Sequence, residues 1–145
     1  MKRLLFVFVL VLVSISTMEI ARAAEPYVFL SVPQKKVNLG SVFMYDTIIP
    51  EAMTLKVNSN CFHGPIIASI SSLKNSLGKE IGQDSIFIKT PFTGDFISMS
   101  KPVVISEPAS GSHDIVIDFK VQLNGVFYRA GRFNGTIAFT VMPPV

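Results

Sequence analysis

The stretch Asp114-Ile115-Val116-Ile117-Asp118-Phe119-Lys120-Val121-Gln122-Leu123 decides the fold class. Ile115, Ile117, Phe119, Val121 and Leu123 fall on one side of an extended chain. Asp114, Asp118, Lys120 and Gln122 fall on the other, with Val116 the one apolar residue among them. Successive side chains of a strand point to opposite faces, so a period of two marks a strand with one face buried and one wet.

The same period recurs on both sides of this stretch. Downstream, Ile137, Phe139 and Val141 alternate with Thr136, Ala138 and Thr140, residue types that suit a pleated surface. Pro143-Pro144 then removes two backbone donors and ends the strand. The spacing predicts that these two strands pair as a hairpin through the loop 124–133. Upstream, Met53, Leu55, Val57, Ser59 and Cys61 alternate with Thr54, Lys56, Asn58 and Asn60 until Gly64-Pro65 breaks the run. Ile66 to Leu73 reads as the next strand. Shorter strands are expected at Tyr27–Val32, Lys36–Leu39, Ser85–Lys89, Asp95–Ser98 and Pro102–Ser106. Pro33, Gly40, Pro50, Gly78, Gly82, Pro91, Gly94, Pro108 and Gly111 punctuate them. From residue 24 onward no window sustains an apolar stripe of helical spacing. About seven to nine short strands with frequent turn signals predict an all-β, immunoglobulin-like antiparallel β-sandwich.

The first 23 residues follow a different logic. Lys2 and Arg3 precede an apolar run, Leu4 to Val13, and the segment ends Ala21-Arg22-Ala23 with small residues at −3 and −1 of a cut. Basic head, apolar middle and small-residue cleavage site read as a secretory signal peptide over 1–23. The run is short for a bilayer span. One exported domain over 24–145 is then expected, bound for the periplasm, the cell surface or the exterior.

Charge must be counted without that leader. The chain has 13 basic and 10 acidic residues; losing Lys2, Arg3, Arg22 and Glu19 leaves 10 and 9, a net +1. Such a balance gives no electrostatic case for nucleic acid or an anionic membrane. No second apolar segment is long enough to span a bilayer, so the mature chain is expected without a membrane span. A single cysteine, Cys61, rules out an internal disulfide. Stability then rests on the apolar core.

Several side-chain groups invite a chemical reading. In a strand, Cys61 and His63 share a face, as a thiol nucleophile with its base or as half of a metal site would require. Cys61 is also in register with Met53, Leu55 and Val57, and a free cysteine on that face reads as a buried small hydrophobe. His63, just before Gly64-Pro65, reads as a strand-end residue. His63, His113, Cys61 and Met99 or Met142 supply the inventory of a blue-copper site, but the late-loop Cys, His and Met grouping of such sites is missing. His113-Asp114 would point to opposite faces of a strand, which is poor geometry for a triad. Asn134-Gly135-Thr136 matches a glycosylation acceptor but reads as a bulge or strand start. Catalytic residues, metal ligands and cofactors are therefore expected to be none.

Apolar residues outside one clean face suit a binding protein better. Tyr27 and Phe29 alternate with Val28, Leu30 and Val32, so this segment is apolar on both faces, as in a strand lent to a neighbour by strand addition. Pro91-Phe92-Thr93-Gly94-Asp95-Phe96 is a turn carrying two aromatics. Phe92 and Phe96 are the expected contact residues of that loop.

Two stretches carry a resemblance. Ala130-Gly131-Arg132-Phe133-Asn134-Gly135-Thr136, with the alternating strand to Val141, resembles the closing strand of secreted bacterial immunoglobulin-like domains. These include spore-coat-U-type and fimbrial subunit domains. Leu55-Lys56-Val57-Asn58-Ser59-Asn60 resembles their second strand. The resemblance implies a non-enzymatic, structural or adhesive component of the bacterial envelope, with other proteins as partners and self-association by strand addition. Usher-assembled subunits carry an intrachain disulfide and lack a last strand that a neighbour donates. This chain has no such disulfide and a convincing last strand, so the expectation is a complete domain. A periplasmic binding or assembly-accessory module is the second reading.

Overall fold

A computed structural model describes residues 24–34, 36–38, 46–123 and 132–142. The expected leader over 1–23 lies outside these residues, as does most of the loop 124–133. Among the described residues ten strands run in chain order: β1 (Val28–Ser31), β2 (Thr47–Ser59), β3 (Ile66–Ile70), β4 (Leu73–Lys74), β5 (Glu80–Ile81), β6 (Ile86–Lys89), β7 (Ile97–Ser98), β8 (Val103–Ser106), β9 (His113–Val121) and β10 (Ile137–Val141). One 3-10 turn, Gln83–Ser85, is the sole helical element among the described residues.

The strands form antiparallel sheets. Five lie in the order β1-β2-β9-β6-β7, three in the order β10-β3-β8, and β4 pairs with β5. The alternation dictates which face turns inward. On β9, Ile115, Ile117, Phe119 and Val121 are buried while Asp114 and Val116 are exposed. On β2, Met53, Leu55, Val57 and Ser59 are buried. The buried apolar ones among these residues join Ile86 and Ile88 of β6, Ile66, Ala68 and Ile70 of β3, and Val103 and Ile105 of β8 in one cluster. Both larger sheets therefore contribute to the same core. Each fully buried Ile, Leu or Phe in it contributes about 1.5–3 kcal/mol through removal of apolar surface from water.

The expected hairpin between the two decisive strands is not formed. β9 pairs with β2 on one edge and, over Asp118–Val121, with β6 on the other. β10 pairs with β3 in the second sheet, with Phe139 opposite Ala68. The connection carries the chain from one sheet to the other.

Other differences are local. Pro50, expected to separate strands, lies within β2. It has no N–H to give to a ladder, and the strand absorbs it as a bulge. Ile49 pairs with Phe119 and Met53 with Ile117, so three residues of β2 stand against Asp118 alone. Residues 36–38 of the expected strand Lys36–Leu39 are not in a strand, and Leu39 lies outside the described residues. The run Ile66–Leu73 is broken after Ile70, where Ser71 Oγ accepts the N–H of Thr136 at 2.9 Å. Gly64 is fixed by a close approach: its N–H donates to Met142 O at 3.2 Å, and a Cβ there would lie 2.7 Å from Met142 Cβ.

Candidate interaction surfaces

The N-terminal segment forms an edge strand. Among the described residues β1 pairs only with the end of β2, with Val28 opposite Ser59 and Leu30 opposite Val57. Val28, Leu30 and Val32 are half-buried, and Leu30 and Val32 pack on the core. Tyr27 is 48% exposed and Phe29 62% exposed. An exposed aromatic on an edge strand is apolar surface that a second protein can cover.

This strand is also clamped at its start. Asn60 Oδ1 accepts the N–H of Tyr27 at 2.7 Å, and Asn60 Nδ2 donates to Glu25 O at 2.9 Å. The Asn60 N–H and the Cys61 thiol both donate to Tyr27 O, at 3.3 and 3.5 Å. Sequence patterning gave no sign of this clamp, because it depends on the chain turning after Ser59.

That turn also exchanges two expectations. The two-residue period places Cys61 in the core, yet β2 ends at Ser59 and Cys61 is half-buried. His63, read as a strand-end residue, is completely buried instead. It exchanges backbone hydrogen bonds with Ala109, and its Nδ1–H donates to Gly64 O at 2.7 Å. Its ring lies nearly parallel to that of His113, with centroids 6.0 Å apart. Of the residues in the copper inventory, Met99 is buried in the core and Met142 is exposed. Among the described residues, no three of His, Cys, Asp and Glu come together in a group able to hold a metal ion.

The aromatic turn is built by hydroxyls. Thr93 Oγ1 accepts the N–H of Thr90 at 2.9 Å and donates to backbone carbonyls of the turn, while Thr90 Oγ1 ties it to Ile105 O at 3.1 Å. Phe92 is exposed and Phe96 half-buried. Lys89 Nζ lies 5.6 Å from the Phe96 ring centre. Lys120 Nζ lies 5.0 Å from that of Phe87 and 5.9 Å from that of Phe96. Lys120 also pairs with Asp46 at 3.4 Å. Beside this group, the β2 bulge and the turn enclose an open cleft of about 420 Å³ whose charged lining residues are Glu51, Lys89 and Asp118. Phe96 is thus half-covered by cations, and Phe92 is the aromatic the loop presents outward.

The last strand is another edge strand. Ile137, Phe139 and Val141 alternate toward the core and pack on it, yet remain only half-buried. β10 pairs with β3 on one side, and among the described residues no strand pairs with its other side. The closing strand is present, but among the described residues no strand covers its outer edge.

One carboxyl on the small hairpin is displaced from its ordinary behaviour. A hydrogen bond from the Ser72 side chain and the nearby Lys74 ammonium hold Glu80 below the usual 4.5. No helix of the described residues is long and apolar enough to cross a membrane. No protein-family model matches the chain, and comparison with curated proteins finds no significant relative.

Proposed function

We propose that the chain is an exported, non-enzymatic β-sandwich of the immunoglobulin-like kind. It serves as a structural or adhesive component of the bacterial envelope through protein–protein contact at its sheet edges. The observation that carries the reading is β10, an edge strand whose inward side chains Ile137, Phe139 and Val141 are incompletely covered. An added strand would supply the missing backbone partners and bury these side chains further. The exposed Phe29 on β1 and Phe92 on the aromatic turn supply further apolar contact surface. The leader-like residues 1–23 support export, and the two larger sheets sharing one core support the sandwich.

The test is fractionation of bacteria producing the full chain, with mass spectrometry and sizing of the product. The expected result is a chain beginning at Ala24, outside the cytoplasm, in concentration-dependent assemblies. A full-length cytoplasmic monomer at every concentration would contradict the proposal.

A further inference from the structure

We infer that Asn60 is a latch that holds the N-terminal segment in its own sheet and so limits its addition to β10 of a second copy. The inference rests on the strand-addition reading above and concerns its regulation. Beyond the packing of Leu30 on the core, the segment Glu25–Ser31 has two kinds of hold on its own chain. One is the short ladder from Val28 to Ser31 against β2. The other is the clamp, in which one side chain satisfies both Tyr27 N–H and Glu25 O while the neighbouring thiol and the Asn60 N–H take Tyr27 O. Asn60 is exposed, so these bonds compete with water and each is of modest net strength.

The competing seat is β10, which lacks a partner on one side among the described residues. The segment suits it by composition: Val28, Leu30 and Val32 form one apolar row and Tyr27 and Phe29 the other, with no charge from Tyr27 to Val32. The outward residues of β10, Ala138 and Thr140, are small and uncharged, so they oppose neither row. Residues 32–46 link β1 to β2 and would extend to about 50 Å once Val32 and Val37 leave the core and Gln34 releases the Thr54 N–H. The Asn60 bonds belong to the home position alone. Removing them weakens that position without weakening the seat on β10, and the equilibrium moves toward association.

The experiment compares the exported protein with Asn60→Ala and Asn60→Asp by sedimentation over a range of concentrations, with hydrogen exchange of both states. Loss of two side-chain hydrogen bonds is expected to raise the association constant about tenfold in Asn60→Ala. The Asp variant keeps the acceptor for Tyr27 N–H, and its rise should be smaller. In the associated form, the amides of Lys56 and Asn58, which face β1, should exchange faster because β1 has left them, while the outward amides of β10 (Ile137, Phe139 and Val141) slow. If association proceeds through β10 but is equal in all three proteins, the latch is refuted and strand addition stands. If association leaves β10 amides unchanged, the strand-addition reading falls with it. Should Asn60→Ala fail to fold, the Asp variant decides alone: association no stronger than in the unsubstituted protein refutes the latch.

Discussion

The backbone N–H of Glu51 donates to Asp118 Oδ1 across 2.8 Å, and this bond sits at the apex of the bulge that lets Pro50 remain inside β2. Glu51 has φ 47°, the left-handed region that side chains other than glycine adopt at a cost of order 1 kcal/mol. An acceptor on the facing strand therefore holds a backbone turn that the local residues do not favour.

Asp118→Ala removes that acceptor and should lower stability by about 1 kcal/mol, read from the urea midpoint. Glu51→Gly relieves the strained φ but adds unfolded-state freedom, so its midpoint should stay within about 1 kcal/mol of the parent. A loss of several kcal/mol in Glu51→Gly would mean that the Glu51 side chain, and not the backbone turn, holds the bulge.

Phe119 is fully buried in the shared core, opposite Ile49 of β2 on one side and Ile88 of β6 on the other. Phe119→Ala should cost about 3–5 kcal/mol in chemical denaturation, the range for deleting a core aromatic. Val116→Thr, on the exposed face of the same strand, should stay within about 0.5 kcal/mol. Equal losses at the two positions would contradict the facing of β9.

Strand alternation made β9, the second half of β2 and β10 legible, because the first two bury every second residue and β10 turns every second residue toward the core. Pairing was not legible. Alternation says which face of a strand is wet and nothing about which neighbour takes its edges, so the local hairpin was favoured over the long-range ladders that formed. The start of β2 was missed for a related reason: a proline reads as a break unless the facing strand offers a residue such as Asp118 to stabilise a bulge. Of the candidate surfaces, the two-sided apolar character of Tyr27 to Val32 was visible in the residue order. The clamp by Asn60 and the covering of Phe96 by Lys89 and Lys120 were not, since they join residues distant in sequence. Burial of His63 in place of Cys61 follows from a single turn at Asn60, which ends the period of two.

Gly64→Ala places a methyl group 2.7 Å from Met142 Cβ and should cost about 1–3 kcal/mol as overpacking. The clash involves Met142 Cβ, so Met142→Ala should not relieve it whereas Met142→Gly should. A double-mutant cycle by thermal or urea unfolding checks this. Additive effects of Gly64→Ala and Met142→Gly would contradict the close approach of these two segments.

Ser72→Ala should raise the Glu80 carboxyl toward its ordinary value, because the Ser72 hydrogen bond is the largest cause of its lowering, followed by Lys74. A carboxyl lowered on folding adds stability that is complete above the ordinary carboxylate value and is lost as pH falls through the folded one. The contribution of the β4–β5 hairpin should therefore shrink on acidification below about pH 4.5. A side-chain NMR titration of Glu80 in both proteins reads this directly, and an identical midpoint would contradict the Ser72 contact.

Hydrogen exchange at Ile137–Val141, measured on the exported protein first dilute and then associated, tests the proposal of edge-to-edge contact most directly. The expected result is at least tenfold slower exchange of the outward amides of Ile137, Phe139 and Val141 in the associated form, with Ala138, Thr140 and the β3 amides that already pair changing far less. Association that leaves the β10 amides at their dilute rates would contradict it.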